Sequence, residues 1–511
     1  MNAIKATPLR APTIIIDPGE LHNMATEAEI ALIAANAPIY QRGDLVRPVV
    51  DEVAASGGHK TKVVRLAPIT VPALLDHLCR AAQFEKYSAT RKVYVPADPP
   101  ENLAKIIMAR AGEWKFKALA GVITAPTLRP DGSLLARPGY DLQTRLLLID
   151  PPSMPPIPDR PTRQQAMAAL DKLDALLSDF PFADTASRSV ALSALITPVV
   201  RGAMPVVPLH AITAPTSGSG KSFLVDIAAA LLTGDRAPVL SAADKVEETD
   251  KRLAGALLDG GPIVSIDNIN GDLYSDLLCQ AVERPLVSIR ALGGSALTKV
   301  ESRATFFATG NNIRLVSDMG RRTLVCTLDP ALERPELRSF NGNPLAEVIG
   351  NRGAYLAAAL TVARAYVVAG RPDVLPPLGS FEAWSGLVRS ALVWLGRADP
   401  VATQEAARAD DPTITELRAL LGAWRDAIGS EARTTKSVID GALDRFNGDL
   451  VHEDLHDALM AVARDNRGNL DPLRLGKFLG KHKGRILGGL RLVSEQDKKL
   501  KQNVWRVVTG G

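Results

Sequence analysis

Residues 210–226 of this chain read His-Ala-Ile-Thr-Ala-Pro-Thr-Ser-Gly-Ser-Gly-Lys-Ser-Phe-Leu-Val-Asp, and they restrict the fold more than any other stretch. An apolar run, Val206–Ala214, enters a Gly/Ser-rich turn that ends in Gly220-Lys221-Ser222, and an apolar helical run follows. Strand, tight turn and helix in that order form a phosphate-binding loop, because turn N–H groups and the helix N-terminus wrap an anion. In such a loop the lysine reaches the β- and γ-phosphates and the next hydroxyl binds Mg²⁺. Thr216, Ser217, Gly218, Ser219, Gly220, Lys221 and Ser222 are therefore the candidate nucleotide ligands, with ATP and Mg²⁺ as the implied cofactors. One position departs from the pattern. Pro215 stands where the first glycine is usual; it supplies no N–H, but the grip comes mainly from the later residues.

The 511 residues give room for three or four domains and a large core. A net charge of +4 is too small to announce a nucleic-acid binder, so any basic surface must be local. Cys79, Cys279 and Cys326 lie far apart without metal spacing, which argues for a reducing compartment and against a disulfide framework. The seven histidines form no ligand cluster. No segment offers the ~18 continuous apolar residues of a membrane span, and the N-terminus lacks the layout of a signal peptide. The expectation is a cytoplasmic protein with no membrane association.

Six prolines within 151–162 mark a stiff linker. Residues 1–150 before it read as an α/β domain, with strands at Leu45–Val50 and Val63–Leu66, helices at Val71–Gln83 and Leu103–Ala111, and a Pro-Asp-Gly hairpin after Thr127. After it, 163–335 alternates β and α segments, which predicts a mostly parallel sheet with helices on both faces. Residues 336–430 read as helical. Residues 431–511 predict three helices (Thr435–Phe446, His452–Asp465, Leu473–His482) and two strands (Arg485–Val493, Val504–Val508), the pattern of a winged helix.

The chemistry-bearing residues follow the loop in order. Ile263-Val-Ser-Ile-Asp267-Asn268 is an apolar strand ending in an acid, suited to hold Mg²⁺ beside Ser222. Asn268 occupies the position where a Glu often polarises water; Asn orients water but takes no proton. Glu248, on a preceding helix, is the substitute base to consider, against a plain solvated helix charge. Ala304-Thr-Phe-Phe-Ala-Thr309-Gly310-Asn311-Asn312 is a second buried strand with a polar tip, and Asn311 is its candidate γ-phosphate sensor. Asp318-Met-Gly-Arg321-Arg322 supplies a candidate arginine finger, with Arg322 preferred and a salt bridge expected of the other. Between the strands, two β-like runs flank Gly293-Gly294-Ser295, a hairpin on which Arg290 and Lys299 are candidate phosphate contacts.

Taken together, these motifs resemble the AAA+ replicative helicases of phages and integrative elements, near the superfamily III and MCM-like groups and the helicase halves of phage primase-helicases. The likeness covers about 40–330 strongly and the C-terminal unit more loosely. It implies an AAA+ P-loop ATPase core, a homo-hexameric ring hydrolysing ATP at subunit interfaces, and translocation on single-stranded or forked DNA. No primase signature is visible, so a separate primase or initiator is the implied partner. Two other readings stand beside the helicase: a non-translocating AAA+ initiator or loader, and a P-loop kinase of small molecules. A regulatory protein that only binds ATP and DNA is a further alternative.

Between Arg474 and Arg506 lie ten basic residues against Glu495 and Asp497. Lys481, Lys483 and Arg485, after the third helix, and Lys498 and Lys499, at the expected wing tip, are candidate DNA contacts. Trp505 reads as a core residue of the wing.

Overall fold

The computed structural model describes residues 11–54, 60–243, 245–290, 297–338, 341–409, 412–497 and 502–510; side chains at 53, 54, 60–62, 406–409 and 412 are outside the description. The chain is a mixed α/β protein and divides into two compact units. The first comprises residues 1–313 and 322–403, the second 314–321 and 404–511.

The centre of the first unit is a five-stranded sheet. Its strands are β1 (Leu209–Ala214), β2 (Val239–Ser241), β3 (Ile263–Leu273), β4 (Thr305–Leu315) and β5 (Thr323–Thr327), in the spatial order β2-β3-β4-β1-β5. β1 pairs in parallel with β4 and β5, and β2 in parallel with β3. All six residues of β1 are buried, as expected of a parallel strand covered on both faces. Helix α1 (Lys221–Thr233) leaves the loop after β1 with eight buried apolar residues. Gly220, at φ +94°, starts it, and Gly234, at φ +82°, ends it. The half-buried Arg352 donates to the Leu231 carbonyl at 3.1 Å and also to that of Leu232, which offsets the negative end of this helix. α2 (Val246–Asp259) and α3 (Asp276–Glu283) complete the crossovers.

The expected strand Val206–Ala214 begins at Leu209, and the expected N-terminal strands are longer than read, at Asp44–Ala54 and Lys60–Pro68. The Pro-Asp-Gly hairpin forms between Thr127–Leu128 and Leu134–Leu135, with Gly132 at φ +83°. The N-terminal region also contains a sheet not anticipated: Thr13–Ile16, Gln83–Ser88 and Val93–Pro96. Helices Leu21–Ala34, Val71–Ala81 and Glu101–Ala109 share one core with it. Arg42 is buried and donates to the carbonyls of Ala120 (2.6 Å) and Leu257 (2.8 Å), which ties this region to α2. Burial pushes its pKa down to about 10, so it stays cationic at neutral pH.

The second unit includes helix Pro412–Ile428, whose Leu417, Leu420, Leu421 and Trp424 enter the same core as Leu455, Leu475, Leu492 and Trp505. It therefore starts before residue 431, because that helix has its apolar face in this core. Trp505 is buried there, as read. Helix Thr435–Ala442 stops short of Phe446. Asn447 (φ +51°) and Gly448 (φ +96°) make a two-residue turn joining Arg445–Phe446 to Asp449–Leu450. The same chemistry breaks the expected strand Arg485–Val493 at Gly488 and Gly489, both left-handed, into Ile486–Leu487 and Leu490–Asp497. The latter pairs with Gln502–Thr509. Among the described residues, no helix is long and apolar enough to cross a membrane.

Candidate functional site

The loop after β1 needs its glycines. Gly218 and Gly220 have φ +73° and +94°, where a side chain is strained. A Cβ on Gly220 would also lie 3.3 Å from the Phe180 ring, and one on Gly218 would meet Glu336 at 3.0 Å. The loop is tied internally: the Thr216 carbonyl accepts from Ser219 Oγ and from Lys221 Nζ, both at 2.8 Å.

Sheet order supplies the rest of the site. Because β4 lies between β1 and β3, Asp267 in β3 and Asn311 in β4 come beside the carboxyl end of β1 and the start of α1. Ligands of open α/β sheets bind at such ends, where crossovers leave in opposite directions. Lys221 Nζ donates to Asn311 Oδ1 at 2.8 Å. Asp267 Oδ1 accepts from Ser222 Oγ at 3.0 Å and from Thr309 Oγ1. The close approach of β3 and β4 depends on Gly310, where a Cβ would sit 2.0 Å from the Ile269 carbonyl oxygen. Asn268 and Asn312, each one residue past a site residue, have φ +62° and +48°. Asn tolerates that conformation better than most residues, and it turns each chain out of regular pleat at the site.

Lys221 is half-buried, and desolvation lowers its pKa while the Asp267 carboxylate opposes the shift. Its two hydrogen-bond partners are uncharged. A desolvated cation of that kind has most to gain from an anionic ligand. Ser222 and Asp267 offer hard oxygen ligands suited to Mg²⁺, which keeps several of its own waters. The donor set thus fits a magnesium–triphosphate group. Among the described residues, no cluster of three or more His, Cys, Asp or Glu forms a metal site of the all-protein kind.

Of the expected site residues, Lys221, Ser222, Asp267 and Asn311 come together, with Thr216 to Gly220 in the loop beside them. Asn268 is exposed in the middle of β3, which runs on to Leu273 past the end expected at Asp267. The preference for Arg322 as a finger is corrected. Its side chain is 6% exposed, and Nε donates to Glu283 Oε2 at 2.8 Å, so Arg322 is the partner in the salt bridge. Arg321 belongs to the second unit and lies 3.5 Å from Asp318. Glu248 is paired with Lys251 at 2.6 Å, which holds its carboxyl below the usual range and makes it a poorer base.

The intervening hairpin is present as Leu286–Arg290 against Leu297–Glu301, with Arg290 and Lys299 exposed; its tip, 291–296, lies outside the described residues. Its base is anchored, since Glu301 accepts from Arg145 (2.7 Å) and Arg303 (3.0 Å), and nearer the tip Thr298 packs on Gly43. In the second unit Lys481, Lys483 and Arg485 are exposed, while Lys498 and Lys499 fall outside the described residues. Sequence reading missed Thr309 as a partner of Asp267, although a polar residue 1% exposed in an apolar strand was the available signal. It also missed Phe180 and Glu336 as supports of the loop, because nothing in local spacing connects them to it.

No protein-family model matches the chain, and no curated protein matches it. Solved structures similar to it include an apo A form of the NrS-1 C-terminal region, at TM-score 0.32 and 11% identity over 90% of this chain and 97% of that one. An apo A form of the NrS-1 C-terminal region, residues 305–718, is similar at TM-score 0.35 and 11% identity, over 86% and 98% of the two chains. Similarity at that level does not establish a shared fold.

Proposed function

We propose that this protein is an ATP hydrolase of the AAA+ P-loop kind that drives movement on DNA. The observation that carries the reading is the meeting of Lys221, Ser222, Asp267, Thr309 and Asn311 across neighbouring strands at the carboxyl end of β1, beside a glycine loop that opens a helix. Lys221 exchanges its Thr216 carbonyl for phosphate oxygens and keeps the developing charge balanced. Ser222 and Asp267 hold Mg²⁺, and Thr309 fixes the Asp267 carboxylate by donating to it. Mg²⁺ held by these two residues would supply positive charge to offset that of the triphosphate. Asn311, already bonded to Lys221, orients the attacking water; neither it nor Asn268 accepts the proton, which passes to an oxygen of the departing γ-phosphate.

DNA as substrate is supported by the exposed Arg290 and Lys299 on the hairpin and by Lys481, Lys483 and Arg485 in the second unit. Three helices followed by paired strands there are consistent with a winged helix. A homo-hexameric ring with Arg321 reaching a neighbour's phosphates, and a separate primase or initiator, complete the proposal. The competing reading, a non-translocating initiator or loader, shares the ATP site and differs in unwinding. The test is ATPase and strand displacement on a forked duplex, for wild type and Lys221→Ala. Loss of both activities in the variant supports the motor. Hydrolysis stimulated by DNA without unwinding favours the loader, and unchanged hydrolysis in Lys221→Ala removes the site.

A further inference from the structure

The N-terminal three-stranded sheet has one covered face and one open face. Ile14 and Phe84, neighbours in register, are buried against the three helices. Alternation puts Thr13 and Ile15, Gln83, Glu85 and Tyr87, and Tyr94 and Pro96 on the other side. Tyr87 and Tyr94 are directly opposed across the antiparallel pair and are 56% and 52% exposed. Their rings pair edge to face, with centroids 5.5 Å apart and planes at 69°. That arrangement covers at most one of the four ring faces, and both residues stay more than half exposed. The four-residue turn closing this hairpin carries Arg91 and Lys92, both exposed, with Lys92 held at φ +52°. The half-buried Glu85 shares the tyrosine face but sits two residues further from the turn.

We infer that this hairpin is a binding platform for single-stranded nucleic acid. Sequence-tolerant binding of single strands combines aromatic rings, on which bases stack, with cations that track the backbone. An open sheet face carrying aromatic side chains is one way to present such rings. Here Tyr87 and Tyr94 take one or two bases, and Arg91 and Lys92 take the phosphates on the turn side, away from Glu85. The inference goes beyond the ATP site and does not depend on it.

The test uses the full chain. Fluorescein-labelled oligo-dT and oligo-rU of 20 nucleotides are titrated against wild type, Tyr87→Phe/Tyr94→Phe, Tyr87→Ala/Tyr94→Ala and Arg91→Glu/Lys92→Glu. The Phe pair keeps wild-type affinity, and the Ala pair weakens it by about fivefold or more per ring, the low end of base–aromatic stacking. Charge reversal weakens binding and flattens its salt dependence. Oligo-dT and oligo-rU separate DNA from RNA as the favoured strand. A 5-iodouracil oligonucleotide photo-crosslinked to wild type, which needs no substitution to fold, attaches at Tyr87 or Tyr94, and equally so in Lys221→Ala. Crosslinks confined to other segments overturn the inference. So does a lower oligomer mass for the Ala pair at unchanged affinity, which would give the face to contact between copies.

Discussion

The Arg322–Glu283 pair separates a structural arginine from a catalytic one. Glu283 ends α3, where a carboxylate meets the negative end of the helix, and its side chain is 14% exposed. Arg322 offsets that charge through Nε at 2.8 Å and through Nη2, and Ser380 donates to the other oxygen at 2.5 Å. Arg322→Ala removes the cation beside the largely buried carboxylate, to which Ser380 still donates. Breaking such a pair from one side costs about 3–5 kcal/mol. In a unit of this size that lowers Tm by roughly 5 °C, and Tm is the quantity to follow because two units need not unfold in one step. Arg322→Met with Glu283→Gln removes both charges and returns most of the loss. Arg322→Lys falls between, because an ammonium lacks the planar fork. ATPase at 25 °C, per folded protein, changes little in the double variant. A Tm within 1 °C of wild type for Arg322→Ala, together with a large loss of kcat, would refute the reasoning and return Arg322 to the finger role.

Three further outcomes are expected. Thr309→Val keeps the shape of a buried residue and removes the hydroxyl on Asp267. A hydrogen bond to a charged group is worth about 1.5–3 kcal/mol, so ATPase falls tenfold or more and needs more Mg²⁺ for half-saturation; an unchanged Mg²⁺ titration would remove Thr309 from the site. Gly310→Ala forces β3 and β4 apart, because its Cβ would overlap the Ile269 carbonyl. The variant loses more than ~3 kcal/mol or fails to fold, as thermal melting reports, and a wild-type melt would contradict the packing. His210 is fully buried, its Nε2 2.9 Å from Ser193 Oγ, and burial drives its pKa from 6.5 to about 3. Between those values the unfolded chain binds the proton and the folded chain does not, so the stability from this group is present above pH 6.5 and lost as pH falls. The loss reaches ~2 kcal/mol at pH 5. His210→Asn melts less steeply with acid than wild type, and parallel curves would show that another group carries the pH dependence.

The loop, the apolar strands and their polar tips were legible in sequence because each is local. A glycine turn, a buried run and a helix are written in consecutive residues, and so were the alternation that gives a parallel sheet and three of the helices of the second unit. The breaks at Asn447-Gly448 and Gly488-Gly489 were also written locally, as turn dipeptides inside expected helix and strand, and were passed over. The open tyrosine sheet was less visible, since its strand at Thr13–Ile16 pairs with Gln83–Ser88 across some seventy residues.

What sequence alone determined is therefore the kind of residue available: a cation and a hydroxyl at the start of a helix, and a carboxylate and an amide following apolar runs. Tertiary structure decided which of them meet. Placing β4 between β1 and β3 set Asn311 on Lys221 and Thr309 on Asp267, and bringing Glu283 at the end of α3 beside Arg322 turned that arginine into a salt-bridge partner. The physical reason is that strand order and burial are settled by where distant apolar faces pack, and that information is spread over the whole chain rather than held in any motif.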